Sequence, residues 1–209
     1  MGKLITFEGP EGSGKTTQSR LLQERLTAEG FQVLSTREPG GTAIGEQIRL
    51  VLHDLANEAM DPRAEALLYS AARAQHVAQV IRPALQAGKI VLSDRFAEST
   101  LAYQGYGHGL DLAMLKQITA FATGGVQADL VIYLDLDVSV GLERKWHDLQ
   151  EGRGEWNRMD DQTLAFHERV RRGYLEMAAE EPERWLLLDA TQPIETIHRH
   201  IYERMKTLL

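Results

Sequence analysis

The chain has 209 residues, of which 43% are hydrophobic and 25% are charged, and its formal net charge is −7. This length and composition are typical of one globular domain with a sizeable core, and the acidic balance argues against a broad nucleic-acid-binding surface. The absence of cysteine excludes disulfides and cysteine-ligated zinc, and no apolar run approaches the ~20 residues that a membrane-spanning helix needs. Because a predicted strand begins almost at the N-terminus, we expect no signal peptide and a cytoplasmic location.

Short apolar runs alternate with amphipathic stretches along the chain. We predict strands over residues 4–7, 32–36, 89–93, 130–135 and 185–188. We predict helices over residues 14–29, 44–55, 62–87, 112–123, 139–149, 161–179 and 194–208, with a kink at Pro83 in the third. Strands that are apolar on both faces are typical of a parallel sheet covered by helices. The alternation therefore predicts an α/β fold, with a doubly wound sheet of about five parallel strands in a single domain that spans residues 1–209.

The most specific motif lies between the first predicted strand and the first predicted helix. It has the spacing G-x-x-x-x-G-K-[ST] of a phosphate-binding P-loop and consists of Gly9, Pro10, Glu11, Gly12, Ser13, Gly14, Lys15 and Thr16. The glycines let several backbone N–H groups point at one anion, the lysine adds positive charge for the β- and γ-phosphates, and the hydroxyl after it can bind Mg²⁺. The motif predicts that the chain binds a nucleoside triphosphate.

Two further segments follow strands at the edge of the sheet where ligands bind in such folds. Asp94 could hold Mg²⁺ directly or through water, or orient Arg95, which could clamp a phosphate with both arms of its guanidinium. Residues 36–42 contain a proline and two glycines, with Arg37 at the base of the segment. The alternative for Asp94 and Arg95 is a surface ion pair, and the alternative for residues 36–42 is a plain connecting turn. Arg49, on the next predicted helix, could reach the same phosphate, but we expect a lone helical arginine to be solvated.

Side chains suited to a nucleobase and a sugar lie on two later segments. Tyr69 and Arg73 are four residues apart on one predicted helix, so the ring could stack on a base while the guanidinium binds a base carbonyl. Residues 98–104 offer hydroxyls and an amide that suit the polar edges of a pyrimidine and a sugar. Taken alone, the pair also fits packing plus a surface charge, and the segment also fits the surface of an amphipathic helix.

Residues 150–158 interrupt the alternation with a polar run between two predicted helices. The run has two glycines near two arginines, Arg153 and Arg158. A solvated loop would have a similar composition. Next to a P-loop, the pattern favours a mobile lid that closes over the triphosphate.

Together these residues resemble bacterial thymidylate kinase along essentially the whole chain. The P-loop alone is shared by many NTPases, but residues 36–42 and residues 94–104 narrow the choice to this family. The resemblance implies a P-loop NTPase fold with a five-stranded parallel sheet and a lid, usually as a homodimer. It implies that ATP phosphorylates dTMP to dTDP in the presence of Mg²⁺, in the synthesis of dTTP.

The resemblance also implies roles for individual residues. The implied dTMP-binding residues are Glu11, Arg37, Tyr69, Arg73, Arg95, Thr100, Tyr103 and Gln104. Among them Tyr69 would stack on the base, Arg73 would bind thymine and Arg95 would clamp the phosphate. Tyr103 would crowd the 2′ position of the sugar and so disfavour ribose. The proposed Mg²⁺ ligands, Thr16 and Asp94, follow from the chemistry of their side chains and not from the resemblance.

The family places its catalytic arginine either in the P-loop or in the lid. Gly12 occupies the P-loop position here, so the chain resembles the lid-arginine style. Arg153 is the first candidate for this role and Arg158 the second, which gives Lys15, Arg95 and Arg153 as the implied catalytic set. No separate general base is implied, because the acceptor phosphate is already anionic and catalysis would come from alignment and charge neutralisation.

Two other functions are compatible with a P-loop. A kinase for guanylate, adenylate or a deoxynucleoside is disfavoured by Tyr69, Arg73 and Tyr103. A nucleotide-dependent switch or regulatory ATPase is disfavoured because the chain lacks the guanine motif Asn-Lys-x-Asp and the ABC signature Leu-Ser-Gly-Gly-Gln.

Overall fold

The computed structural model describes residues 2–152 and 154–209. The strands are β1 Lys3–Glu8, β2 Val33–Arg37, β3 Ile90–Asp94, β4 Leu130–Asp135 and β5 Trp185–Asp189. In this part of the chain they form one five-stranded parallel sheet with the order β2-β3-β1-β4-β5. The predicted α/β fold with its parallel sheet is confirmed, and the predicted strands differ from the observed ones by a single residue at most at either end.

The predicted burial of the strands on both faces holds for the centre of the sheet and fails at its edges. β1, β3 and β4 are almost entirely buried. β2 and β5 carry exposed side chains. These two strands have a neighbour on one side only, so the helices above and below cover them less completely. The prediction that all five strands would be buried on both faces was therefore wrong for β2 and β5.

Helices cover both faces of the sheet. They are α1 Lys15–Ala28, α2 Ala43–His53, α3 Pro62–His76, α4 Arg82–Gln86, α5 Ala97–Thr100, α6 Leu112–Thr123, α7 Val138–Gln150, α8 Leu164–Glu180 and α9 Ile194–Lys206. Helices α1 and α9 pack on one face, and α4 and α8 pack on the other. None of the described helices combines the length and the apolar content that crossing a membrane requires.

The predicted helix over residues 62–87 is interrupted. A π-helical turn over Val77–Ile81 separates α3 from α4. Pro83 lacks an N–H and its ring would clash with a carbonyl one turn earlier, so a widened turn just before it relieves the clash. The kink predicted at Pro83 is therefore a π-helical turn that precedes the proline.

Two helix boundaries and one additional element also differ from the prediction. The helix predicted over 161–179 begins later, at Leu164, because the Thr163 side chain accepts a hydrogen bond from the Phe166 N–H and caps it. The helix predicted over 44–55 ends at His53, before a 3₁₀ turn over Leu55–Asn57. A helical segment after β3 was not predicted as a separate element: α5 continues into a π-helical stretch over Leu101–Gly107.

Candidate active site

The P-loop connects β1 to α1 at the carboxyl edge of the sheet. Gly9, Gly12 and Gly14 have φ angles of 143°, 67° and 91°, which other residues rarely adopt. Gly14 immediately precedes α1, so the unpaired N–H groups of that helix terminus face the loop and favour an anion. A Cβ atom at Gly12 would lie 2.6 Å from the Gly141 carbonyl oxygen. Helix α7 thus approaches the loop too closely for an arginine at position 12.

Lys15 is held inside the P-loop. Its Nζ donates hydrogen bonds to the carbonyl oxygens of Gly9 at 3.2 Å and Pro10 at 2.8 Å. Burial lowers the pKa of Lys15, and Arg95 lowers it further, against the opposing effect of nearby carboxylates. Its partners in the loop are neutral carbonyls, so anionic phosphate oxygens would be stronger acceptors for the same ammonium group.

Thr16 and Asp94 meet where β3 ends beside β1. The Thr16 hydroxyl donates to Asp94 Oδ2 over 3.3 Å. A hydroxyl and a carboxylate supply hard oxygen ligands of the kind that Mg²⁺ prefers. The two residues predicted to bind the metal are therefore close enough to share one ion.

Arg95 is fixed from several sides. Its φ angle is 70°, in the left-handed region that residues other than glycine rarely adopt. Its Nη2 donates to Glu11 Oε1 at 2.7 Å, and its guanidinium carbon lies 5.1 Å from the centre of the Tyr103 ring. The backbone conformation and these contacts direct the side chain toward the P-loop before any ligand binds.

Two acidic side chains lie beside Arg95. Glu8 is fully buried and accepts hydrogen bonds from the Phe96 N–H, the Ser99 hydroxyl and the Tyr174 hydroxyl at 2.9, 2.7 and 2.7 Å. Burial raises the pKa of Glu8 to about 7, although Arg95 acts to lower it. Burial also acts to raise the pKa of Glu11, but Lys15, Arg95 and Lys145 together hold it well below its usual range.

Arg73 forms the floor of the cleft beside α3. Its Nε donates to Glu38 Oε2 at 2.8 Å, its Nη1 to the Thr100 hydroxyl at 2.6 Å and its Nη2 to the Phe96 carbonyl at 2.8 Å. Five N–H bonds are available on a guanidinium, so these three contacts fix its orientation and leave two donors for a ligand. Tyr69 lies one turn earlier on the same helix and lines the same cleft.

Two arginines on the β2 side line the cleft with different degrees of exposure. Arg37 Nη2 donates to both carboxylate oxygens of Glu46 at 3.0 Å, and the Arg37 side chain is half exposed. Arg49 donates to the Pro39 carbonyl at 3.2 Å and pairs with Glu155. The prediction that Arg49 would be solvated was wrong, because a loop carbonyl and a carboxylate from the predicted lid hold it against the protein.

The described part of the predicted lid is anchored by ion pairs to the rest of the chain. Glu155 contacts Arg49 and also lies 2.8 Å from His53 Nδ1. Asp160, just after the lid, accepts two hydrogen bonds from Lys145 Nζ, both at 2.7 Å.

The structure describes one of the two arginines predicted in the lid. Arg158 is 4% exposed, pairs with Glu65, and donates from Nε to the Leu52 carbonyl at 3.1 Å. It is not among the described residues that line the cleft. Arg153, the first candidate for the catalytic arginine, lies outside the described residues.

One cleft of about 900 Å³ contains most of the predicted site. The predicted residues that line it are Glu11, Gly12, Gly14, Lys15, Thr16, Arg37, Tyr69, Arg73, Asp94, Arg95, Thr100, Tyr103 and Gln104. Gly9, Pro10 and Ser13 complete the P-loop backbone without lining the cleft.

Sequence reasoning assigned no individual role to several polar residues of the same cleft. They are Glu38, His53, Arg144, Lys145, Glu155, Asp160 and His167. Glu38 was within reach of the prediction, because it lies in the segment 36–42 that follows the second predicted strand. Lys145 and Asp160 belong to no motif, and only the packing of α7 against the lid brings them together.

Comparisons with known proteins give a consistent result. The family model described as thymidylate kinase matches residues 7–201. A thymidylate kinase of Roseiflexus sp. (strain RS-1) is 54% identical over 208 residues, which cover 96% of this chain and 92% of the relative. A thymidylate kinase of Deinococcus radiodurans is 51% identical over 201 residues, covering 96% and 95%. The crystal structure of thymidylate kinase from Ehrlichia chaffeensis superposes with a TM-score of 0.76 at 34% identity, covering 98% of each chain.

Proposed function

The chain belongs to the thymidylate kinase family and phosphorylates dTMP to dTDP with ATP, and we propose that the cleft between Lys15 and Arg95 holds both nucleotides during transfer. The observation that carries this proposal is that two cationic side chains, Lys15 and Arg95, line the same cleft. Lys15 belongs to the P-loop, which is built for a triphosphate, and Arg95 extends from the neighbouring strand end toward the same loop. A donor and an acceptor phosphate bound at these two sites would face each other.

On the donor side, the P-loop from Gly9 to Thr16 binds the ATP phosphates. The backbone N–H groups of the loop and of the start of α1 surround the phosphates, and Lys15 turns from the loop carbonyls to the β- and γ-phosphates. Thr16 and Asp94 hold Mg²⁺ through their side-chain oxygens. When bound, this ion neutralises charge on the ATP phosphates.

On the acceptor side, dTMP lies along the other half of the cleft. Arg95 binds its phosphate, in place of the contact with Glu11, and Arg37 contributes further positive charge. Tyr69 stacks on the base and Arg73 donates to a base carbonyl. The sugar and the edge of the base are surrounded by the remaining residues of this half, Glu11, Thr100, Tyr103 and Gln104.

Transfer needs alignment and charge neutralisation rather than a general base. The acceptor phosphate attacks as an anion, and the cations around it stabilise the charge that spreads over the transferred group. Lys15 and Arg95 supply two of these cations. Arg153, from the lid over 150–158, supplies the third, because the contact between Gly12 and α7 leaves no room for an arginine in the P-loop.

We also propose how the chain is organised and where it works. Residues 1–209 act as one nucleoside monophosphate kinase domain in the cytoplasm, where ATP and dTMP are both available. Two copies form a homodimer, since α2, α3 and α6 lie side by side and expose apolar side chains. We assign no nucleic-acid or membrane partner to the protein.

A substrate panel combined with one matched pair of variants tests the site. With ATP and Mg²⁺, ADP formation should be fastest with dTMP. It should be slower but still measurable with dUMP, because the missing methyl group costs only ~1–3 kcal/mol. Arg95→Met should raise the KM for dTMP and lower kcat by ~100-fold or more, because a phosphate contact is lost. Arg199→Met, at an exposed position on α9 away from the cleft, should behave as the unmodified enzyme. An unchanged dTMP affinity in Arg95→Met would show that the phosphate clamp lies elsewhere.

A further inference from the structure

Glu65 is a buried acid behind the wall of the cleft. It lies in the first turn of α3, its side chain is 0% exposed, and it is not among the described residues that line the cleft. A buried carboxylate is costly unless its oxygens are paired. Glu65 pairs with Arg158, accepts a hydrogen bond from Gln104 Nε2 at 2.6 Å, and lies 3.2 Å from His108 Nε2.

These partners keep Glu65 ionised. Burial acts to raise its pKa, but His108, Gln104 and Arg158 together hold the pKa below its usual range. An ionised carboxylate can accept hydrogen bonds and cannot donate them. The group of Gln104 that faces Glu65 must therefore be the –NH₂ end of its amide.

This constraint determines what Gln104 offers to a ligand. The –NH₂ group and the carbonyl oxygen of an amide diverge from the same carbon, so with the –NH₂ group on Glu65 the carbonyl oxygen of Gln104 is directed away from Glu65. Gln104 lines the cleft beside Thr100, the residue that holds Arg73. The base half of the cleft thus combines an acceptor from Gln104 with donors from Arg73.

Thymine and cytosine differ at the two atoms that such a pair would contact. Thymine offers an N–H at ring position 3 and a carbonyl at position 4. Cytosine offers a bare nitrogen and an amino group at the same places, so it has an acceptor where thymine has a donor and a donor where thymine has an acceptor. Mismatched polar groups in a closed site are left unpaired, which gives strong discrimination.

We propose that Glu65 is a positioning residue for base selectivity, which fixes the Gln104 amide so that the site accepts pyrimidines with an N–H at position 3 and rejects cytosine. This inference rests on the proposed function, because it needs the base to lie against Gln104. Glu65 itself touches no substrate. Uracil carries the same two groups as thymine, so Glu65 does not contribute to discrimination between dUMP and dTMP.

The test is the kcat/KM for dCMP, dUMP and dTMP in a small set of variants. In Glu65→Gln the new amide can donate to Gln104, so Gln104 is free to turn its –NH₂ group toward the base. The ratio of dCMP to dTMP activity should rise by ~10-fold or more, and the ratio of dUMP to dTMP should stay as in the unmodified enzyme. Arg158→Lys is the control that keeps Glu65 ionised, and it should leave both ratios unchanged.

Additional variants keep the proposal testable if Glu65→Gln folds poorly. Glu65→Gln combined with Arg158→Met removes both charges together and should show the same rise in the dCMP ratio. Gln104→Leu removes the acceptor and should lower the preference for dTMP over dCMP by ~10-fold or more, while the part due to the Arg73 donors stays. If Gln104→Leu leaves that preference unchanged, the base does not lie against Gln104 and the proposed dTMP site is wrong there. If Gln104→Leu lowers the preference while both Glu65 variants keep it unchanged, only the positioning role of Glu65 is overturned.

Discussion

A buried acidic side chain lies next to Arg95, one of the cations that line the cleft. Glu8 is surrounded by three hydrogen-bond donors and lies 3.7 Å from Arg95. Burial raises its pKa to about 7, whereas an ordinary glutamate titrates near 4.5. Between these two pH values the native protein holds a proton that the unfolded chain has released. Protonated Glu8 therefore stabilises the folded state, and this contribution is lost as the pH rises toward 7.

The unfolding free energy should record this titration. The contribution of Glu8 is complete below pH 4.5 and should fall by roughly 1.4 kcal/mol per pH unit between pH 4.5 and 7. Glu8→Gln should remove it, so the variant should lose less stability than the unmodified protein between pH 5 and pH 7.5 in urea unfolding. Glu203→Gln, at an exposed position on α9, should keep the original pH dependence. Equal pH dependence in Glu8→Gln and the unmodified protein would show that Glu8 titrates normally.

Some residues of the site can be assigned from the sequence alone, and others cannot. Lys15, Thr16 and their loop follow a motif whose spacing has a physical reason, so the sequence alone is enough to assign them. Glu8 and Glu65 could not be assigned in this way, because their roles depend on partners far away in sequence. The Tyr174 hydroxyl that binds Glu8 is 166 residues away, and the Arg158 guanidinium that pairs with Glu65 is 93 residues away.

At the scale of elements, the lid gives a direct contrast between two arginines. Arg153→Ala should lower kcat by ~100-fold or more with little change in the KM for dTMP, because its contact forms mainly in the transition state. Arg158→Met should instead lower the free energy of unfolding by about 3 kcal/mol, because it leaves Glu65 buried without its main counter-charge. Steady-state kinetics and urea unfolding on both variants measure the two effects.

Each arginine serves as the control for the other. Near-normal kcat in Arg153→Ala would remove it from the catalytic role. A full loss of kcat in Arg158→Met at unchanged stability would assign that role to Arg158, which would then have to leave its pocket beside Leu52 during the reaction.

Regular elements were predictable and irregular ones were not. The central strands appear in the sequence as short apolar runs, and their boundaries matched because helices cover them on both faces. The π-helical segments Val77–Ile81 and Leu101–Gly107 follow neither the period of an α-helix nor that of a strand. They also carry or flank functional residues, since Tyr103 and Gln104 lie within the second, and this is where local sequence rules are expected to fail.

At the scale of the whole molecule, the cleft differs in charge balance from the rest of this acidic protein. The formal net charge is −7, yet the described residues that line the cleft include as many lysines and arginines as carboxylates. The interpretation as a thymidylate kinase from resemblance is confirmed by the family comparisons, and the alternative interpretations as another nucleotide kinase or a switch ATPase are not needed. The strand order could not be read from the sequence, because the alternation of elements fixes a class of fold and not the neighbours of each strand.

Apolar side chains are exposed on the outer surface of α2, α3 and α6. Leu50, Leu67, Met114 and Phe121 are exposed on these three adjacent helices, and Phe121 is 89% exposed. Scattered apolar side chains are normal on a surface, but a group on packed neighbouring helices is typical of an interface. This surface is the basis of the proposed homodimer.

Sedimentation velocity can test the dimer. Phe121→Glu places a charge on the proposed interface and should shift the protein from dimer to monomer at micromolar concentration. Leu209→Glu, at an exposed position beyond α9 and so on the other side of the sheet, should leave the dimer intact. A dimer that survives Phe121→Glu, or an unmodified protein that sediments as a monomer, would contradict the proposed assembly.

The shared cleft is tested most directly by a crystal structure with dTMP and an ATP analogue that cannot transfer its γ-phosphate. We predict that Lys15 contacts the β- and γ-phosphates, that Arg95 contacts the dTMP phosphate, and that the base lies between Tyr69 and Gln104. A dTMP molecule bound outside this cleft, or with its phosphate directed away from Lys15, would contradict the account.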